Sequence, residues 1–373
     1  MGRRSGVREK LEDDLIAERL FVIDGRSVEV MSAKLRVGVL GLSHDHVWEN
    51  VQTLVDRDDV ELVGAAEPRE ELRHKFLAEF EIDAVVDHEA LLDKSDPDAV
   101  YVFSSNREGA SLAVAAAERG LHVLIEKPMA ASLSQADAML AAARRNNVRL
   151  MVNWPFAWWP QLQHALRLAD EGAVGDLWQV KYRAAHAGPQ ELGCSPAFCD
   201  WLFDPQLNGG GALMDYCCYG AVLARVLMGV PNRVTALTGR FCKENITVED
   251  NAFLGMTYPR GMATAEGSWT QIGKLTSYTT ALYGSAGTLL VEPRNGGRLL
   301  LATADDPEGS EVEVPRAAEH LTNSAAHFVH GIRTGEEFQS LCQDRVCRDT
   351  QEILEGGLQS VEAGSEISLP LVI

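Results

Sequence analysis

His122-Val-Leu-Ile-Glu-Lys-Pro-Met-Ala130 reads as a short buried strand that stops at a charged pair and a proline. Val123, Leu124 and Ile125 favour an extended, buried backbone. Glu126 and Lys127 fall at the carboxyl end of that strand, and Pro128 stiffens its exit. In an open parallel sheet this end is where ligands bind, so Lys127 is a candidate for chemistry.

On either side of this stretch, from Leu35 to about Asn153, short apolar runs alternate with amphipathic ones. Strands are expected at 35–41, 60–66, 82–86, 98–103, 121–125 and 148–153, with helical spacing between them, as in Val47/Val51/Leu54 and Leu112/Ala115/Ala116. This alternation predicts a doubly wound parallel sheet covered on both faces, a Rossmann nucleotide-binding domain over 34–154. After Pro160 the texture changes. A helix at 161–172, a strand from near Trp178, a loop rich in Cys, Pro and Trp at 188–208 and a helix after Gly209-Gly-Gly211 come first. Strands are then expected at 233–240, 250–258, 261–269, 277–283, 286–292 and 297–303, joined by short turns, with helices at 322–333 and 343–361 closing the chain. The fold class is therefore α/β, with the Rossmann domain followed over 155–373 by an α/β domain on a large, mainly antiparallel sheet. Residues 1–33 match nothing downstream and are expected to be an N-terminal extension with little functional content.

The 373 residues carry a formal charge of −20, which argues against nucleic acid or an anionic membrane surface as partner. Seven cysteines, an odd number without a Cys-x-x-Cys, read as reduced thiols of a cytoplasmic protein. The apolar stretch 211–230 contains Asp215 and Arg225 and reads as a soluble helix. Arg3-Arg4 is followed by acidic residues where an apolar core would be needed, so twin-arginine export is not expected.

The first strand ends in Gly41-Leu-Ser-His-Asp-His46, so Gly41 stands where a dinucleotide fingerprint has its first glycine. Ser43 and His46 occupy the second and third glycine positions, and His44 and His46 are expected beside a pyrophosphate, shaping the loop. Glu67, at the tip of the second strand, is placed to hold ribose hydroxyls; Arg69 nearby would suit a 2′-phosphate, so NAD and NADP both remain open. Asp215 and Tyr219 are four apart, on one face of a helix. A carboxylate and a phenol there could hold a hydroxyl and move its proton, provided that an ammonium such as Lys127 lowers the phenol's pKa. Trp158, Trp159 and Trp201 fall in loops near the expected cleft and could stack on a sugar ring. Of these, Trp158 and Trp201 are taken, with His186, as substrate-binding candidates. No third ligand accompanies the His44/His46 pair in sequence, so no metal is expected.

Together these residues resemble the Gfo/Idh/MocA family, the glucose–fructose oxidoreductase and inositol dehydrogenase group. Glu126-Lys127-Pro128 and Gly209-Gly-Gly-Ala-Leu-Met-Asp215 carry the resemblance, which runs from about Lys34 onward. It implies NAD or NADP as cofactor, hydride transfer to or from a sugar or polyol carbinol, and an open sheet that buries its face in a homo-oligomer. It also implies catalytic roles for Lys127 and Asp215, and a cofactor contact for Glu126. Tyr219 stands where the family often has histidine, as in the glucose–fructose oxidoreductase and dihydrodiol dehydrogenase branch. Ser104-Ser105-Asn106 stands where Thr-Pro-Asn is common at the cofactor, Gly109 where a histidine is usual, and Ala157 where an arginine is frequent.

The expected mechanism has Tyr219 as base, Lys127 stabilising the phenolate or alkoxide, and Asp215 orienting a substrate hydroxyl. Two rivals remain at this point: a redox-assisted lyase or glycoside-cleaving enzyme that recycles its NAD, and a non-enzymatic NAD(P)-binding sensor.

Overall fold

The protein is described by a computed structural model over residues 21–23, 26–28, 33–294 and 296–371. Phe21–Ile23 (β1) and Arg26–Val28 (β2) pair antiparallel within the unit Met1–Lys34, while Leu35–Ile373 forms a second compact unit. Most of the expected extension 1–33 lies outside the described residues.

Apolar runs and helical patterns then alternate. They give β3 (Leu35–Leu40), α1 (Val47–Val55), β4 (Val60–Ala66), α2 (Glu70–Phe80), β5 (Ala84–Val85) and α3 (His88–Ser95). β6 (Ala99–Val102), α4 (Asn106–Glu118), β7 (His122–Glu126), α5 (Leu133–Arg145) and β8 (Leu150–Asn153) follow. The six strands are parallel, in the order β5-β4-β3-β6-β7-β8. β6 and β7 are buried almost throughout, which is why they read as unbroken apolar runs. The strand order reverses between β3 and β6, and the crevice outside their carboxyl ends is where such sheets bind ligands. Gly41 makes that crevice tight. Its φ is +81°, and a Cβ there would stand 2.8 Å from the Cβ of Ser104 at the end of β6.

The second half contributes α6 (Pro160–Asp170), β9 (Leu177–Ala185), α7 (Pro196–Leu202), α8 (Pro205–Asn208), α9 (Cys218–Met228), β10 (Arg233–Gly239), β11 (Asn251–Tyr258) and β12 (Gly261–Ser268). β13 (Thr279–Gly284), β14 (Gly287–Val291), β15 (Leu299–Thr303), β16 (Ser310–Glu311), α10 (Ser324–Thr334), α11 (Asp344–Ala363) and β17 (Ile367–Ser368) complete it. Nine strands form one sheet in the order β16-β15-β14-β13-β9-β12-β11-β10-β17. Its pairs are antiparallel except β9 with β12, where Met262–Ser268 run alongside Gln179–Ala185. β11 shows the governing pattern: Ala252, Leu254, Met256 and Tyr258 are buried and alternate with half-buried residues. The buried face of the sheet packs under α9 and α11, and α11 also contacts α5 and β8 of the first sheet. The other face is open and carries Leu237 at 73%, Met262 at 50% and Leu290 at 36% exposure.

Three expectations are corrected. The segment 188–208 is not all loop, because Ser195 caps α7 by accepting from Phe198 N–H and Asp204 caps α8 by accepting from Gln206 and Leu207 N–H, each followed by a proline in the first turn. Trp201 therefore sits on a helix, and Trp158 in the 3₁₀ turn Pro155–Trp158. The helix after the glycine run opens with a π-helical turn, Leu213–Cys217, so the α-helical spacing assumed for Asp215 and Tyr219 does not hold there. The strand expected at 82–86 shortens to Ala84–Val85. The run Pro205–Met228 is apolar enough to cross a membrane by composition, yet 78% of its most apolar window is buried inside the protein.

Candidate active site

Lys127 and Asp215 meet as a buried ion pair. Lys127 leaves the carboxyl end of β7, and its Nζ donates to Asp215 Oδ1 at 2.8 Å; the two side chains are 4% and 9% exposed. The other Asp215 oxygen accepts from Trp269 Nε1 at 3.2 Å. Glycines allow this approach. Gly209 has a φ of +89°, and a Cβ there would lie 2.3 Å from the carbonyl of Ala131, four residues after Lys127. Glu249 Oε1 accepts from the N–H groups of Gly211 and Leu213, fixing the start of the π-turn. Burial pulls the Lys127 ammonium toward losing its proton, but the carboxylate of Asp215, aided by Cys218 and Glu126, outweighs it and holds the pKa above the ordinary lysine range.

The Lys127 ammonium also lies 5.0 Å from the centre of the Tyr219 ring. It faces the ring, and burial raises the Tyr219 pKa well above its ordinary value. This corrects the expectation that Lys127 lowers it. Tyr219 is walled by aromatic rings: Trp154 and Phe156 edge-on at 5.6 and 5.0 Å, and Tyr182 stacked at 5.7 Å. Tyr182 and Tyr219 line a cavity of about 560 Å³, together with His46, Asn153, Trp158, Trp159, Tyr278 and Arg294. That volume is in the range of small-molecule sites, roughly 300–1,000 Å³. A larger groove, of about 1170 Å³, lies among Trp178, Tyr258 and Arg260 and has none of these groups.

A polar chain runs under the cavity. Ser324 Oγ donates to Asn50 Oδ1, which also accepts from Asn153 Nδ2; the same Nδ2 donates to Glu126 Oε2 at 2.7 Å, and Glu126 Oε1 lies 3.1 Å from His46 Nδ1. Trp158 Nε1 donates to Asn153 Oδ1 at 3.0 Å. His44, His46 and Glu126 bring one ligand atom each within 4.8 Å of one another. Within this group His44 Nδ1 accepts from His46 N–H, and the Glu126 oxygens are engaged by His46 Nδ1 and Asn153 Nδ2. Burial holds His44 neutral.

On the dinucleotide side, Glu67 is buried, with one oxygen accepting from Leu42 N–H at 2.7 Å and the other from Arg69 N–H at 3.0 Å. These residues fit NAD(P): a tight glycine turn before α1, a carboxylate at the tip of β4, and Ser43 and Ser104 in the loops that follow β3 and β6. Ser104 and Ser105 hydroxyls donate to Glu108 Oε2 at the start of α4. Asn106 turns away, donating to the carbonyl and side-chain oxygens of Asn208. α7 covers the loop: Ser195 N–H and Oγ donate to Asp45, and Trp201 Nε1 donates to Ser43 O at 3.2 Å, so Trp201 lies on the dinucleotide loop. His186 packs edge-on against Tyr216 at 5.0 Å, and its Nδ1 accepts from Gly188 N–H. Burial holds His186 neutral, lowering its pKa to about 4. Tyr182, Tyr278, Arg294 and Asn50 were missed by sequence reasoning. Only Tyr182 left a trace, as an inward position in the alternation of β9.

Residues 35–154 match the profile of an oxidoreductase family with an NAD-binding Rossmann fold, and residues 162–290 match the Gfo/Idh/MocA C-terminal domain. A dTDP-3,4-didehydro-2,6-dideoxy-alpha-D-glucose 3-reductase of Streptomyces antibioticus is 30% identical over 262 residues, 70% of this chain and 76% of that protein. The chain belongs to the Gfo/Idh/MocA oxidoreductase family. Another relative, a D-apiose dehydrogenase of Paraburkholderia graminis, is 27% identical over 356 residues, covering 90% of this chain and 89% of its own. The Gfo/Idh/MocA fold is also seen in an aldose–aldose oxidoreductase from Caulobacter crescentus complexed with glycerol, at a TM-score of 0.75 and 20% identity over 90% of this chain and all of that one.

Proposed function

We propose that this oxidoreductase moves a hydride between NAD(P) and a carbinol or carbonyl carbon of a sugar, polyol or cyclitol. The observation that carries this reading is the buried Lys127–Asp215 pair at the end of β7, with Tyr219 against the ammonium. Relatives that act on a dTDP-sugar and on D-apiose support the substrate class. The bound coenzyme supplies or accepts the hydride. Lys127, kept protonated by Asp215, stabilises negative charge on the substrate oxygen. Asp215 orients Lys127, because its carboxylate is committed to that ammonium and to Trp269. Tyr219 gives its proton to a carbonyl oxygen in reduction and takes it back in oxidation. Glu67 would hold the adenosine ribose hydroxyls, and its charge disfavours a 2′-phosphate, so NAD is the preferred coenzyme.

The open sheet face, with Leu237, Met262 and Leu290, suits pairing with a second copy of the chain, and the free cysteines suit the reducing cytoplasm. The test begins with fluorescence titration of NADH and NADPH, followed by a screen of monosaccharides and cyclitols at about 340 nm, the reduced-nicotinamide band. NADH should bind more tightly than NADPH and form stoichiometrically with product. Coenzyme binding without turnover on the whole panel would sink the reading, and turnover without net NADH would move it to a redox-assisted lyase.

A further inference from the structure

One cation in the cavity has no ion-pair partner among the described residues. Arg294 lines it with its guanidinium 5.5 Å from the centre of the Tyr278 ring, and among the described residues it makes no ion pair. Its backbone is nevertheless held firmly. The amide of Gln161, itself 1% exposed, donates to the carbonyls of both Glu292 and Arg294. Arg294 and Tyr278 are both non-glycine residues in the left-handed region, at φ of 66° and 57°. Side chains rarely adopt this conformation, and it gathers at ligand-binding positions.

Two further features point into the same space. Thr322, Asn323 and Ser324 line it at the start of α10, an eleven-residue helix. The Asn323 side chain caps Ala326 N–H, while the first-turn N–H groups of Ser324 and Ala325 have no partner within the helix and favour negative charge. The hydroxyl of Tyr182, which is 1% exposed, has no hydrogen-bond partner among the described residues. Such a buried orphan is costly unless a ligand completes it. Glu49 is the one carboxylate lining the cavity among the described residues; it is exposed, and no ion pair joins it to Arg294. On a chain of net charge −20, whose long-range field repels anions, a locally fixed cation is the device that admits one.

We propose that this cavity binds a sugar bearing an anionic group, carboxylate or phosphoryl, with Arg294 as its counter-charge and Tyr182 as a hydroxyl ligand. The inference rests on the sugar-oxidoreductase reading and names its substrate class. Arg294 thereby sets specificity, away from the reacting carbon.

The test is binding, followed by tryptophan fluorescence from Trp158 and Trp159 with NADH present. The probes are hexuronates and aldonates, their neutral parent aldoses, and hexose 6-phosphates. The wild type should hold at least one acidic sugar tenfold or more tighter than its neutral parent. Arg294→Ala should abolish that difference, and Arg294→Lys should restore part of it at unchanged melting temperature. In turnover, the loss should appear in KM and leave kcat within about threefold. Preference for uronates or aldonates assigns a carboxylate, and preference for 6-phosphates assigns a phosphoryl group. Equal binding of acidic and neutral sugars, failure of every anionic probe to bind, or indifference to Arg294→Ala overturns the inference. Turnover of neutral sugars alongside any of these results leaves the oxidoreductase reading intact, whereas failure to bind either coenzyme removes both.

Discussion

Replacing Lys127 with alanine leaves the Asp215 carboxylate buried, with Trp269 Nε1 as its remaining side-chain partner. Removing one member of a buried pair costs about 3–5 kcal/mol. Lys127→Ala should therefore lower the melting temperature as well as kcat, whereas Tyr219→Phe keeps the stacked ring and should reduce kcat by roughly 10²–10⁴-fold with little change in melting. Calorimetry beside steady-state kinetics separates the two; a Phe variant at normal turnover would remove Tyr219 from the chemistry. The held protons also set a pH signature. Lys127 and Tyr219 both keep their protons at neutral pH, so kcat for carbonyl reduction should be flat from about pH 6 to 9 while kcat for alcohol oxidation climbs with pH. Opposite slopes in stopped-flow assays would refute this assignment. Lys127, Asp215 and Tyr219 were legible in the sequence because each sits in a short motif of unusual composition. Their geometry was not: the high pKa of a phenol called for an ammonium serving it, and the fold gives that ammonium to Asp215. Tyr278 and Arg294 come from separate turns, and no local pattern links them to β7.

At the scale of elements, the two motifs function because their backbones nearly touch. Gly209→Ala would drive a methyl group into the Ala131 carbonyl at a backbone φ that alanine resists. It should destabilise the protein by several kcal/mol, lowering the urea midpoint, and loosen the Lys127–Asp215 contact even where folding survives. An unchanged midpoint with full activity would show that the approach is not needed. Strands and long helices were readable because their periodicity extends over many residues. α7 and α8 were hidden because four to seven residues are too few for a period to show, although Ser195-Pro196 and Asp204-Pro205 are cap-and-proline starts. The π-turn left no sequence mark; the carboxylate that receives the Leu213 N–H at its start, Glu249, lies 36 residues further on.

For the whole molecule, buried histidines govern behaviour in acid. Burial lowers His186 and His327 to about 4, from an ordinary value of 6.5. As pH falls from 6.5 toward 4, the unfolded chain takes up protons that the folded chain refuses, so stability drops, by up to about 1.4 kcal/mol per pH unit per group. The urea midpoint should therefore be lower at pH 5 than at pH 7.5, and equal midpoints would contradict the burial of these rings. Long α11 carries another consequence. It contacts α5 and β8 of one sheet and β10 and α9 of the other, with Arg348 bonded to Asp137 and Cys347 accepting from Trp154. β9, likewise, lacks its parallel neighbour until β12 has been made. On the ribosome, then, the nucleotide lobe emerges early yet keeps an uncovered apolar flank until this late helix arrives. Chaperone dependence during synthesis, and sensitivity to nicking near residue 344, should follow from that single shared lid.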